Sequence, residues 1–203
     1  MLPMSTIQLQ MRQPATGFTL IEVLVVLTIS AILLAVGVPM FNATIASARA
    51  SDAANSLKGA IELAASTASG RLGFPVTACR VVDPTLPRPP CDPAAVGTYV
   101  ANDWAAGWVV FAESDAAGAI GVLDPADQIL QIQQAFVAAG PNHPEILSTV
   151  GVIAVISFSP QGDRIGGGNN TFSVVYPQAL AGPVQSRRNL TFTLKGQVAV
   201  TRP

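Results

Sequence analysis

The sequence predicts an α+β fold, in which a long N-terminal helix is packed on an antiparallel β-sheet head. Three observations lead there. A 21-residue apolar run from Phe18 to Val38 carries one charge, Glu22. Apolar residues then recur at three- and four-residue intervals as far as Leu72, the spacing of one helix face. From Phe74 onward, short runs rich in Val, Ile, Phe and Thr alternate with connections rich in Gly and Pro. At 203 residues there is room for one ordinary domain and an extra element. Half the residues are hydrophobic and only 11% are charged, which is low for a soluble globular chain and points to a membrane or assembly surface.

The first element is long enough to cross a bilayer. As a helix, 21 residues span about 30 Å, the thickness of a hydrocarbon core. The residues before it are mostly polar with one positive charge, Arg12, like the n-region of an export signal. A secretory signal has a shorter apolar core followed by small residues at a cleavage site, whereas this run continues past Pro39 into an amphipathic pattern. A signal anchor that stays in the membrane fits better. Glu22 has two readings at this point. Near the headgroups it costs little and favours the positive end of the helix dipole. Deeper, an unpaired acid costs about 2.5–3.5 kcal/mol at the centre of a span and calls for a cation.

Gly17, then Phe18-Thr19-Leu20-Ile21-Glu22, the apolar run and Pro39 together resemble the class III signal of type IV pilins and pseudopilins. The resemblance implies that a prepilin peptidase cuts between Gly17 and Phe18 and that the new Phe18 amine is N-methylated. It also implies that Glu22 meets the Phe18 amine of a neighbouring subunit in a stacked fibre, which supplies the cation. Thr16 stands where Lys or Arg is frequent in such leaders. The expected division is a leader at 1–17, a transmembrane helix half at 18–38, an amphipathic helix half at 39–72 and a periplasmic head at 73–203.

Pro39 removes a backbone donor, and a kink is expected where the helix leaves the bilayer. Beyond it Leu57, Ile61, Ala64, Ala65, Ala68 and Leu72 form one face, with Asp52, Asn55, Lys58, Glu62 and Ser66 opposite. Gly70 and Gly73 end the helix. The whole is a helix of about 54 residues, about 80 Å at the standard rise.

The strands of the head are read in "FPVTACRVV", "GWVVFAE", "QILQIQQAFV", "GVIAVISFS", "TFSVVYP", "NLTFTLK" and "QVAVTRP", the last two as a hairpin turning near Lys195-Gly196. Cys79 and Cys91 are the only cysteines. In a domain outside the cytoplasm a disulfide is the leading reading, with free thiols as the alternative. Two cysteines and one distant histidine do not make a metal site. "PVTAC" ahead of a second Cys, "DWAAGWVVFAE" and "ISFSPQG" resemble the GspH/FimT group of minor pseudopilins and minor pilins. Trp104, Gly107 and Trp108 read more simply as core aromatics on a strand opened by glycine than as a ligand platform.

No catalytic constellation is present, so no enzyme and no cofactor are expected. His143, in "GPNHPE", reads as a solvated loop residue, and "GGGNN" at 166–170 as a flexible loop, since neither a Lys nor a helix start follows it. Asp124 and Asp127 lack the further oxygen ligands that calcium needs. Charge is unevenly spread. Eight acids face two arginines between Leu72 and Val150, whereas from Gly151 on Asp163 alone faces Arg164, Arg187, Arg188, Lys195 and Arg202. That reads as subunit complementarity or a weak anion-binding surface.

The resemblance implies a minor pseudopilin of a type II secretion system, held by a single pass in the bacterial inner membrane with its head in the periplasm. Its partners would be other pilin or pseudopilin subunits and the prepilin peptidase. The alternative is a FimT-like minor type IV pilin, some of which bind DNA for uptake through a basic C-terminal motif. In "KGQVAVTRP", Gln197 and Ala199 replace two expected arginines, which leaves Arg187, Arg188, Lys195 and Arg202 as the candidate phosphate contacts.

Overall fold

The computed structural model describes residues 17–70, 73–92, 94–97, 99–114, 119–136, 143–149, 153–166, 170–176 and 187–202. The leader before Gly17, Leu72 at the end of the predicted stripe, residues 167–169 of the glycine run and the loop at 177–186 lie outside them. The chain divides between Val38 and Pro39 into two compact units, and one helix, α1 (Leu20–Gly70), contributes to both.

In the first unit α1 starts at Leu20, with Thr19 as its cap: the Glu22 amide donates to Thr19 Oγ1 at 3.3 Å. Leu20–Val38 is long and apolar enough to cross a membrane, and every described residue from 17 to 38 is exposed within the unit.

In the second unit α1 presents a stripe of small residues, among them Ala50, Ala53, Ala54, Ala60, Ala64 and Ala68, with Leu57 and Ile61 between them, all fully buried. Alanine loses no side-chain entropy in a helix and lets the helix backbone approach its neighbours closely. The predicted polar side is exposed at Asp52, Asn55, Glu62 and Ser66, and Lys58 is half-buried and paired with Glu62 at 3.6 Å.

Nine strands follow: β1 (Val76–Arg80), β2 (Trp108–Ala112), β3 (Gln128–Gln133), β4 (Glu145–Ser148), β5 (Val155–Phe158), β6 (Arg164–Ile165), β7 (Asn170–Val175), β8 (Arg187–Phe192) and β9 (Val198–Thr201). They form two antiparallel sheets, one ordered β3-β2-β1-β5-β6 and the other β4-β7-β8-β9. Each of the seven predicted runs overlaps a strand, with β7 and β8 starting one and two residues ahead of their runs. Two short strands were not anticipated. β4 is four residues long, too short to show alternation, and its Ile146 amide is held by Asp103 Oδ1 at 2.8 Å. β6 has two residues, fixed by its pairing to β5 and by the Arg164 amide donating to Leu194 O at 2.7 Å. The "DWAAGW" segment also departs from a plain strand: a 3-10 turn over Trp104–Ala106, capped by Asp103, precedes β2.

The α1 stripe, the inner face of the five-stranded sheet (Val76, Ala78, Val110, Ile156, Phe158) and that of the four-stranded sheet (Ile146, Phe172, Val174, Leu190, Phe192) share one core. The opposite face of β1 and β2 is buried too, with Cys79, Val81, Val109 and Phe111 under Cys91 and Leu123. Both strands are therefore buried on two faces, which accounts for the unbroken apolar run of β2, while β1 buries Thr77 and Arg80 along with its apolar residues. Trp104 and Trp108 are fully buried. Trp104 stands edge-on to Phe172 of the other sheet at 5.5 Å and donates from its indole nitrogen to Ile153 O at 2.7 Å. Gly107 has φ 124°, and a Cβ there would lie 2.8 Å from Gln133 O, so no side chain fits.

Candidate functional site

The predicted assembly residues lie in the first unit. Phe18 is 84% exposed, and it lines a shallow groove on the helix with Glu22, Val23, Val26 and Leu27. Glu22 and Val26 are four apart on one face of α1, and Phe18, just before the Thr19 cap, lines the same groove. Thr19-Leu20-Ile21-Glu22 also fits the S/T-x-x-E capping pattern, and the Thr19 half of that box is formed. That role for Thr19 was missed in the sequence, although its spacing to Glu22 announces it. Among the described residues the Glu22 carboxylate makes no hydrogen bond and no ion pair.

Cys79 and Cys91 form a disulfide with Cα atoms 5.6 Å apart, joining β1 to the Pro-rich loop. The same loop is held a second time by Arg80, which is fully buried. Its Nε donates to Asp103 O at 3.1 Å, and its Nη1 donates to Asp92 O at 2.6 Å and to Ala94 O. Burial pushes the Arg80 pKa down, and the nearby Asp103 and Asp92 charges oppose that shift.

The four candidate phosphate contacts do not form one cluster. Lys195 sits in the β8–β9 turn and pairs with Asp163 at 2.6 Å. Arg188 is buried: its Nε donates to Ser51 Oγ at 3.1 Å and its Nη2 to Ser47 Oγ at 2.8 Å, tying β8 to α1. Its pKa is lowered, first by burial and then by Arg202. Arg187 and Arg202 are exposed with no ion pair among the described residues, and Lys195 is exposed but paired.

The histidine expectation is corrected. His143 is buried, not solvated, with its ring 4.3 Å from that of Tyr99 and its Nδ1 2.9 Å from Pro144 O. Asp103 is fully buried and accepts from the amides of Ala105 at 2.9 Å and Ile146 at 2.8 Å; burial raises its pKa against these bonds. Asp127 caps its own loop, accepting from the Ser114 amide at 3.0 Å and the Asp124 amide at 2.7 Å. Both carboxylate oxygens of Asp127 are thus engaged by protein donors. Among the described residues no group of three His, Cys, Asp or Glu is placed to hold a metal.

A carboxylate that the sequence did not single out, Glu113, lies buried on the outer side of β2. Its Oε1 accepts from Thr77 Oγ1 and from the Gly121 amide, each at 3.1 Å, and Thr77 Oγ1 lies 2.8 Å from Ser157 Oγ. Burial raises its pKa. The alternation of β1, β2 and β5 places all three side chains on one face, a signal available only once the strands are paired.

In sequence, residues 12–38 match the prokaryotic N-terminal methylation motif, and residues 53–197 match the family described as Type II transport protein GspH. No curated protein matches the chain. Among solved structures it is similar to the type IV minor pilin FimU of Pseudomonas aeruginosa in two crystal forms. One shows 16% identity and a TM-score of 0.49, covering 74% of this chain and 87% of the other. The second shows 15% identity and a TM-score of 0.47, covering 74% and 91%.

Proposed function

Since the chain belongs to the Type II transport protein GspH family and carries an N-terminal methylation motif, we propose that it is a minor pseudopilin, a structural subunit of a type II secretion pseudopilus. The observation that carries this reading is the pairing of a self-contained head with an apolar helix that has no intramolecular cover. Prepilin peptidase cuts between Gly17 and Phe18, and the freed Phe18 amine is methylated. The Leu20–Val38 span holds the subunit in the inner membrane, with the head in the periplasm, until assembly.

On assembly the apolar faces of neighbouring helices cover one another, and the Glu22 carboxylate pairs with the Phe18 amine of the adjacent subunit. Charges paired in a low-dielectric core fix the axial register, because a slip by one turn leaves both unpaired and buried. The work done by Glu22 is therefore positional. Pro39 marks the boundary between the part that enters the fibre core and the part that packs on the head.

The test is Glu22→Ala in the cells that make the protein. The variant is expected to be cut after Gly17, seen by mass spectrometry of the N-terminus, and to insert in the membrane, but to be lost from cross-linked complexes with partner subunits. Unchanged cross-linking removes the proposal. Deleting the gene is expected to stop protein secretion; intact secretion with loss of pili assigns the subunit to a type IV pilus instead.

A further inference from the structure

A strap of residues 119–127 lies on the outer face of the five-stranded sheet, and its two ends are fastened differently. It begins with a turn in which the Val122 amide donates to Ala119 O at 3.0 Å. Gly121 is the point of close approach to β5. Its φ of 89° suits glycine, and a Cβ there would lie 2.8 Å from Val155 Cγ1 and 3.9 Å from Ser157 Oγ. Leu123 and Val155 both pack on the outer cluster of Cys79, Val109 and Phe111. At the Asp124–Asp127 end the ties are several. Arg88 Nη2 donates to Asp127 O at 3.0 Å and to Asp124 O, and the Asp127 carboxylate accepts from the Ser114 amide at 3.0 Å and the Asp124 amide at 2.7 Å. At the Gly121 end, among the described residues, a single hydrogen bond reaches the sheet: the Gly121 amide donates to Glu113 Oε1 at 3.1 Å.

That one tie ends on a buried group that can change its charge. Glu113 Oε1 also lies 3.1 Å from Thr77 Oγ1, which lies 2.8 Å from Ser157 Oγ. The two hydroxyls can serve either charge state. With Glu113 ionised, Ser157 donates to Thr77 and Thr77 to the carboxylate; with Glu113 neutral, its O–H donates to Thr77 and Thr77 donates to Ser157. What differs is the charge left out of water, since Glu113 is 3% exposed and Thr77 is fully buried. The groups facing Glu113 are the Thr77 and Ser157 hydroxyls from β1 and β5 and, from the strap, the Gly121 amide with the like charges of Asp124 and Asp127. Asp115 lies outside the described residues. Among the described residues no cation pairs with Glu113, Asp124 or Asp127, because Arg88 meets the strap through carbonyl oxygens.

We propose that Glu113 is a proton-operated latch: neutral, it lets residues 119–123 close over β5, and ionised, it releases them and uncovers Val155 and Ser157. The latch works within the head and does not depend on the assembly reading. Burial raises the Glu113 pKa above its ordinary 4.5; the Asp127 and Asp124 charges act in the same direction, and the Gly121 and Thr77 bonds oppose it. With the strap open, the carboxyl returns to water and to its ordinary range. The closed strap therefore keeps its proton over a window in which the open strap has lost it. Closure is strongest below 4.5 and is lost as pH rises through the raised value.

The test is amide hydrogen exchange of the detergent-solubilised full chain from about pH 4 to about pH 8, with rates corrected for the intrinsic pH dependence of exchange. The amide read is that of Gly121. Leu190, in a strand paired on both sides, reports opening of the whole head. The expected result is a loss of protection of about fivefold at Gly121 from the acid to the neutral end, insensitive to low urea, whereas protection at Leu190 falls with urea. In Glu113→Gln, which keeps an accepting oxygen and cannot ionise, protection at Gly121 is expected not to change with pH. Constant protection at Gly121 in the wild-type chain overturns the proposal, whatever the variant does. The same urea dependence at Gly121 as at Leu190 overturns it in favour of the whole head opening, and an undiminished pH dependence in Glu113→Gln overturns it in favour of Asp124 or Asp127.

Discussion

Glu22 and Glu113 are the same side chain in two opposite settings. Glu113 is 3% exposed, and its partners, the Thr77 hydroxyl and the Gly121 amide, come from its own chain. Glu22 stands among exposed Phe, Val and Leu side chains with its carboxylate unengaged. The difference extends to the units that hold them. In the head, buried Arg80, Asp103 and Arg188 all make hydrogen bonds within the chain, and the apolar residues of helix and sheets cover one another. In the Leu20–Val38 segment nothing is covered. The head is complete as a fold, whereas the described residues of the Leu20–Val38 segment have no cover within the chain.

That contrast is broken most strongly from the head's side. Trp104→Ala removes the aromatic joining the two sheets and leaves Ile153 O without its donor, and is expected to cost about 3–5 kcal/mol in urea unfolding of the detergent-solubilised chain. A loss below 1 kcal/mol would mean that the two sheets do not depend on this contact. Next comes the paired change of Cys79 and Cys91 to Ser. The 12-residue separation corresponds to about 3 kcal/mol in the chain-entropy account. Arg80 holds the same loop from its other side, so the loop is expected to keep its protease resistance while global stability falls. Cleavage of the loop in the folded double variant would show that the disulfide alone positions it. Arg188→Ala is smaller again, about 1–3 kcal/mol, because it strips a buried donor from Ser47 and Ser51. An unfolding midpoint unchanged from wild type would show that β8 does not need this tie to α1.

Much of this was legible in the sequence, for reasons that differ between the regions. The apolar run and the Ala stripe of α1 announce themselves because helix periodicity is local and the residues are sorted by face. Strands β1, β2, β3, β5, β7, β8 and β9 were visible as runs rich in β-branched and aromatic residues bounded by turn residues. β4 and β6 were not, since strands of four and two residues form through pairing with β7 and β5, which sequence order does not display. His143 was misjudged for a related reason: two flanking prolines suggest an exposed turn, but the contact that buries it comes from Tyr99, 44 positions away. The basic tail was read as a single set from composition. Its division into buried Arg188, paired Lys195 and exposed Arg187 and Arg202 follows from strand alternation and the hairpin's length.

A milder change probes the partnered carboxylate by pH. Glu113 and Asp103 have native pKa values above their ordinary 4.5 and 3.8 because both are buried. Over the window from those ordinary values up to the raised ones, the folded head binds more protons than the unfolded chain, so its stability falls as pH rises. Glu113→Gln keeps an oxygen to accept from Thr77 and Gly121 but cannot ionise. Its unfolding midpoint is expected to fall less steeply than that of wild type as pH rises above about 4.5, with the remaining slope due to Asp103. Identical slopes would show that Glu113 is not the group being charged.

The smallest expected effect on the head is the one that most sharpens the comparison. Glu22→Ala removes a carboxylate that no group in the chain engages, and the capping bond from the Glu22 amide to Thr19 uses backbone and survives. Unfolding of the head is therefore expected to change by no more than about 0.5 kcal/mol, while association with partner subunits is lost. Glu22→Gln distinguishes a charge from a hydrogen bond: the amide can still accept from an ammonium group but cannot neutralise it, and a cation buried in a fibre core without a counter-charge is strongly disfavoured. Gln is thus expected to fail in assembly like Ala. If Gln assembles as well as wild type, the position is needed for its shape and polarity, and register would have to be set by the apolar face of Phe18, Val26 and their neighbours instead.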